Sequence, residues 1–371
     1  MHFFTFADKD STLYQASGSL NAGLDEILEI RKDVSDTGAV VNSSRIVIQF
    51  DLTEISKSVS NGVISTPKYF LNLYDAKPTS LATSQSLYAY PVSQSWTMGD
   101  GRSYDNPITE EGCSWFYPQG LTSGTLWGHD TMVSSSGGSW VSGSGYEGEL
   151  SFNHNSSDFR MDVTDIVNKW LDSSDPLVNH GFMVKRSGSV GNLDTSVDEG
   201  STDSLGSFSF FSSDTHTKYP PTLETVWYDS KWSTGSLSPL SSTNLEDMVI
   251  YMKGLRPEYQ ENAKVKFRVV GRERFPEKSY STTPSNLSVK YLPSGSSFYS
   301  IRDAETNDVI VGFSTSSLIS CDSSGNYFNL DLNGYQPERY YTLEYRIQSG
   351  SGTVDETDQY FDEGFTFKVK I

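Results

Sequence analysis

Trp115, Tyr117, Trp127, Trp140 and Tyr146 fall among glycines and serines in the stretch 97–148. Flat rings on turn-rich backbone can stack on sugar faces, plug a loop cluster or fill an interface, and aromatic side chains suit all three settings. Plug or interface is the preferred reading and glycan binding the alternative. Asp8, Asp10, Asp100 and Asp105 are candidate ligands for a structural calcium ion, which takes hard oxygen donors. The run "DETDQYFDE" adds Asp355, Glu356, Asp358, Asp362 and Glu363, which read first as a solvated hairpin tip. The five histidines, His2, His129, His154, His180 and His216, form no H-E-x-x-H pair, and there is no C-x-x-C, so zinc chemistry lacks its spacing. Neither a G-x-x-x-x-G-K-[ST] phosphate loop nor a G-x-S-x-G elbow occurs. With 47 acidic residues, no single carboxylate pair is singled out for glycoside hydrolysis. No catalytic residue is assigned, and the expectation is a non-enzymatic protein with no cofactor beyond that calcium.

The formal charge of −19 argues against nucleic acid and anionic membranes as partners, since both require a basic face. No run approaches the roughly 20 apolar residues of a membrane span. The opening "MHFFTFADKDSTLYQ" lacks a basic leader and turns polar quickly, so no signal peptide is expected. Cys113 and Cys321 stand far apart and are expected as reduced thiols.

The elements that position these residues are strands. Aromatics reach 13%, and Ser, Thr and Gly fill much of the rest, which suits short strands joined by turns. In "SRIVIQFDL", Ile46, Ile48, Phe50 and Leu52 share one face, and "KVKFRVVG" and "FTFKVKI" alternate likewise. "DVTDIVNKWLD" breaks that rhythm. Val163, Ile166, Val167, Trp170 and Leu171 fall on one face of a helix that Asp162 can cap. The expected fold is all-β: an N-terminal jelly-roll-like sandwich with one short helix over 1–230, a serine-rich linker over 231–245, and a smaller Ig-like domain over 246–371. The stretch 97–148 reads as elaborated loops at one end of the first sandwich.

Several segments, taken in order, resemble the DNRLRE-type module, a carbohydrate-binding-like β-sandwich of cell-surface and secreted proteins. They are "FADKDSTLYQASGSLNAGLDEILEIRKD", "SRIVIQFDLTEI" with Arg45 before Phe50-Asp51-Leu52, "LYAYPVSQSWTMG" with Trp96, "MDVTDIVNKWLD", "HGFMVKRSG" and "SFSFFSSDTHTKYPPTLETVWY". The resemblance implies that the helix closes the sandwich core and that Trp170 is a core plug. The enlarged 97–148 region departs from the module.

Farther on, "YSIRDAETNDVIVGF", "SCDSSGNYFNLDLNGYQPERYYTLEYRI" and "FDEGFTFKVKI" look like a C-terminal β domain of structural proteins from tailed phages, especially contractile-tailed cyanophages. That implies a virion component assembled in the host cytoplasm, placed at neck, tail or baseplate. Its implied partners are other virion proteins and symmetry copies of itself, with host surface polysaccharide as the partner under the adhesin or capsid-decoration alternative.

Overall fold

The computed structural model describes residues 1–77, 84–128, 136–152, 158–172, 174, 177–188, 198–240, 245–276, 280, 282–283, 288–348 and 358–371. Asp355 and Glu356 lie outside them. The chain is all-β and divides into two compact units. One comprises Thr5–Val63 and Lys68–Thr225; the other comprises Val226–Ile371 together with Met1–Phe4 and Ile64–Pro67.

In the first unit the strands are β1 (His2–Tyr14, whose first residues belong to the other unit), β2 (Ile27–Val34), β3 (Val40–Phe50), β4 (Lys68–Leu73), β5 (Gln85–Pro91), β6 (Gly148–Phe152), β7 (Phe159–Asp162), β8 (Phe182–Lys185), β9 (Gly206–Phe211) and β10 (Thr222–Val226). They hydrogen-bond in the order β6-β5-β8-β3-β1-β10-β4-β7, with β2 joining β3 to β9. β6 and β7 also lie against each other, so the sheet closes almost into a barrel and few strand edges are left open. Burial on β3 exceeds what alternation predicts. Arg45 and Val47 are as inaccessible as Ile46 and Ile48, because loops cover the second face.

Two α-helices are present among the described residues, where one was expected. The anticipated helix, α2, spans Thr164–Leu171, with Val163, Ile166 and Val167 buried. The Asp162 carboxylate accepts the Thr164 amide at 2.9 Å, and the Trp170 ring lies 4.7 Å from that of Phe182. The unanticipated helix, α1, spans Thr53–Ser60 and buries only Ile55. Such a short helix carries too little apolar periodicity to be read, but its start is marked: Asp51 accepts both the amide (2.9 Å) and the hydroxyl (2.5 Å) of Thr53.

The second unit packs two sheets face to face. One runs β11 (Ser238–Pro239), β15 (Lys290–Tyr291), β14 (Lys264–Glu273), β19 (Gly325–Asp331), β18 (Ser320–Asp322), with β12 (Met248–Lys253) on β14. The other runs β13 (Glu258–Gln260), β21 (Asp358–Lys370), β20 (Tyr340–Gln348), β16 (Ser297–Asp303), β17 (Val309–Val311). The core between them is aromatic-rich: Tyr299 stacks 4.1 Å from Phe328, and Phe267 lies within 5.4 Å of both Phe328 and Phe367.

Two features of this unit differ from the sequence reading. Within 231–245, expected as a linker, Trp232, Ser233 and Ser238–Pro239 pair with strands of the first of these sheets. Trp232 bridges Cys321, the Ser233 amide donates to the Cys321 carbonyl at 3.0 Å, and Ser238–Pro239 pairs with Lys290–Tyr291. Backbone pairing of this kind needs no apolar alternation, so composition does not reveal it. Phe4, far away in sequence, fills the same core, with its ring 5.9 Å from Tyr335. We expect Phe4→Leu to cost about 1–2 kcal/mol in urea unfolding of the full chain. An unchanged midpoint would remove Phe4 from the core.

Candidate functional site

The elaborated loops of the first unit surround a cluster of rings and buried charge. Trp115, Trp127 and Trp140 are each at most 4% exposed and pack with Leu13, Val47, Tyr90 and Met183. The Trp127 indole donates to the Ser114 carbonyl at 2.9 Å. Tyr117 and Tyr146 are half-buried, and Tyr146 lies under the Lys169 ammonium at 4.3 Å. The structure therefore assigns the three indoles to core packing. The rings facing outward from these loops are Tyr104 and Phe116, which sequence reasoning did not select.

The cluster is built around Arg45, which projects from β3 and is completely buried. Its guanidinium is gripped on every edge. Nε and Nη2 donate to the two carboxylate oxygens of Glu199 at 3.0 and 2.7 Å, and Nη1 donates to the Gly137 carbonyl at 2.6 Å. Its faces meet Trp115 and Trp140, with ring centroids 4.8 and 4.9 Å away. A planar, delocalised cation suits this slot better than an ammonium, since it offers both a fork and two stackable faces. Gly137 is required where it sits. Its φ is +80°, and a Cβ there would stand 2.4 Å from the Arg45 Nη1 and 2.7 Å from Trp115. The backbone at Gly137 is thus shaped by the cation beneath it.

Other cations, buried except for half-buried Lys9, repeat the device. Lys185, at the end of β8, pairs with Glu199 at 3.2 Å and donates to the Arg186 carbonyl at 2.6 Å and to that of Gly188. Arg186 reaches the carbonyls of Leu205 and Gly206 at 3.2 and 3.3 Å, and the side chain of Gln85. Lys32 donates to the Ser201 carbonyl at 2.8 Å, and Lys9 to that of Trp96 at 2.5 Å. Each cation leaves a strand and ties down a loop carbonyl. Charged hydrogen bonds of this kind are each worth about 1.5–3 kcal/mol. Both cysteines are free and buried, so this work is done without a disulfide. Burial pushes the Cys113 thiol up to about 12, which leaves it an inert core group. Asn21 completes the set: its amide donates to the Met98 and Cys113 carbonyls at 2.7 and 2.8 Å and accepts the Gly101 amide at 2.8 Å.

The four aspartates named for calcium are not brought together as a set. Asp8 and Asp10 should share a face of β1, but the register slips between Ala7 and Lys9, and this bulge leaves Asp8 exposed while Asp10 is buried. Asp100 is exposed, and Asp105 accepts the Arg102 amide and the Thr109 hydroxyl at 2.8 and 3.1 Å. Among the described residues, no three His, Cys, Asp or Glu side chains gather as a metal group. No described helix is long and apolar enough to cross a membrane.

Asp10 is the outlier in electrostatics. Burial, with the Asp214 charge adding to it, pushes its carboxyl up to about 7, against the opposing Ser213 amide and hydroxyl. A carboxyl raised in the fold retains its proton there, so its contribution to stability is whole below about pH 4 and is lost as pH rises towards 7. In chelator-containing buffer, Asp10→Asn is expected to be roughly 2–3 kcal/mol more stable than the parent at pH 8, with little difference at pH 4. Urea titrations at the two pH values check it; a gain that is equal at both would contradict it.

No protein-family model matches the chain, and no curated protein matches it. Among solved structures, a DUF4785 family protein from Legionella pneumophila is similar at 9% identity and a TM-score of 0.22, over 99% of this chain and 66% of that one. At that TM-score the likeness carries no functional argument. What the fold and site define is an all-β protein with its loop tryptophans turned inward.

Proposed function

We propose that this chain is a non-enzymatic structural component of a tailed-phage particle, attached at the neck, tail or baseplate through its β units. The observation that carries the structural reading is the use made of the chemistry-bearing side chains of the first unit. Trp115, Trp127, Trp140, Arg45, Lys185 and Glu199 are all spent on fixing loops to the barrel. Rigid loops on a nearly closed sheet suit a part that must hold its shape under load. The assignment to a particle comes from the resemblance of the C-terminal segments to phage structural proteins.

The glycan-binding or capsid-decoration alternative loses its three tryptophans as ligand platforms and retains half-buried Tyr117 and Tyr146. The test is quantitative mass spectrometry of purified particles of the phage that encodes the chain. A few copies, in a multiple of the tail symmetry, are expected. Hundreds of copies would make it a capsid decoration, and absence would overturn the virion reading.

A further inference from the structure

We propose that the outer face of β12, β14 and β19 in the second unit docks onto the loop 102–111 of a second copy of this chain. Strand register assembles that face. Lys253 and Tyr251 of β12 stand opposite Arg268 and Val270 of β14, and Lys264, Lys266 and Arg272 lie along the same side of β14. The alternate residues Ile250, Phe267 and Val269 fill the core, so this row faces away from it. Tyr251 is 41% exposed at the centre, with Lys253 beside it on its own strand. The five cations meet two carboxylates: Asp322, shared by Lys266 and Arg268 at 3.4 and 2.6 Å, and Asp331, 3.3 Å from Lys264. Among the described residues, Lys253 and Arg272 have no carboxylate partner.

A sheet face with surplus positive charge on a chain of net charge −19 fits an anionic occupant, and the chain itself supplies one. The first unit, 5–63 and 68–225, holds 13 Lys and Arg against 28 Asp and Glu, whereas the rest holds 15 against 19. Within the first unit, the loop 102–111 displays apolar side chains among acids. Tyr104 is 76% and Ile108 46% exposed, and Asp105, Glu110 and Glu111 flank them in sequence. The loop is already fixed: the Ser103 amide donates to Asp25 at 3.0 Å, the Asn21 amide to the Thr109 carbonyl at 2.8 Å, and the Leu121 amide to the Glu110 carbonyl at 2.9 Å. A fixed loop loses little conformational freedom on docking.

An exposed tyrosine among carboxylates thus matches an exposed tyrosine among cations, and aromatic and arginine side chains are those enriched at interface cores. Salt confines such attraction to about 10 Å at 0.1 M, so local complementarity outweighs repulsion between two acidic chains. A simple polyanion would neutralise the cations but leave Tyr104 and Ile108 in water, whereas a second copy covers both partners' apolar groups. The contact joins different surfaces of the two copies, so they add head to tail and form a ring or a filament. This goes beyond the virion reading and does not rest on it, since self-association of the purified chain and copy number in particles are read separately.

The test is sedimentation velocity of the full chain at about 100 µM in 0.1 M and 0.5 M NaCl, with Lys253→Glu and Tyr104→Lys in parallel. The parent is expected to associate at 0.1 M, with affinity falling about tenfold or more at 0.5 M. Each variant alone should sediment as a monomer and melt like the parent, because both positions are exposed. An equal mixture of the two variants should form dimers, since one supplies an intact loop and the other an intact sheet face. A parent that is monomeric at 0.1 M overturns the proposal, as does association that persists in either variant. Retention of a monomeric parent on a heparin column, lost in Lys253→Glu, would instead assign the face to a polyanion.

Discussion

Arg45→Met is expected to lower the unfolding free energy of the first unit by about 3–5 kcal/mol, the cost typical of breaking a buried ion pair. Methionine matches the length of the arginine stem, so the loss comes from the head group and not from a large cavity. Glu199 would be left buried with Lys185 as its remaining cation at 3.2 Å, and the Gly137 carbonyl would lose its donor. The slot between Trp115 and Trp140 would also lose its cation, worth about 1–2 kcal/mol when desolvated. Arg45→Lys should recover only part of this, since an ammonium cannot span both Glu199 oxygens and the Gly137 carbonyl together. Adding Glu199→Gln to Arg45→Met should recover no stability, because it strips the buried Lys185 ammonium of its carboxylate partner. Urea unfolding of the three variants measures all of this. An Arg45→Met loss below 1 kcal/mol would mean that the pair is not holding the loops.

Trp127→Ala is the second large effect. The side chain is 1% exposed and donates to the Ser114 carbonyl, so truncation opens a cavity and strands an acceptor. About 3–5 kcal/mol is expected. Trp127→Phe should cost less, about 1–2 kcal/mol, since most of the ring volume remains. If the indole were instead a sugar platform, Trp127→Ala would abolish glycan retention on a polysaccharide column and leave the urea midpoint unchanged. These two patterns are mutually exclusive, so one preparation of the variant decides between them.

The all-β class was legible because period-two alternation and turn residues act locally. Helix α2 was legible for the same reason: Val163, Ile166 and Val167 lie on one face, and all are buried. What sequence could not show depends on partners distant in the chain. Arg45 and Glu199 are separated by 154 positions, and nothing local to "VDEG" marks its glutamate as the anion beneath a barrel. The cations of "FMVKR" look like the polar end of a strand, whereas the fold buries both. The aromatic loops were located correctly, but exposure cannot be read from glycine-rich backbone, which turns a ring inward as easily as outward. Asp8 and Asp10 illustrate a subtler failure, since one extra residue in β1 separates two side chains that alternation puts together. The inclusion of Met1–Phe4 in the second unit is likewise invisible to composition, since the Phe4 ring, the Met1 ammonium on the Trp227 and Ser316 carbonyls and His2 on Ser316 all join partners more than 200 positions away.

The most direct test of the central claim, that the loop tryptophans are core and not ligand surface, is acrylamide quenching of tryptophan emission with and without added polysaccharide. Trp96, Trp115, Trp127 and Trp140 are all nearly inaccessible, so in the Trp170→Phe, Trp232→Phe variant the account predicts blue-shifted emission, weak quenching and no change when polysaccharide is added. Red-shifted, easily quenched emission that polysaccharide protects would contradict it, and would return those rings to the surface as a binding site.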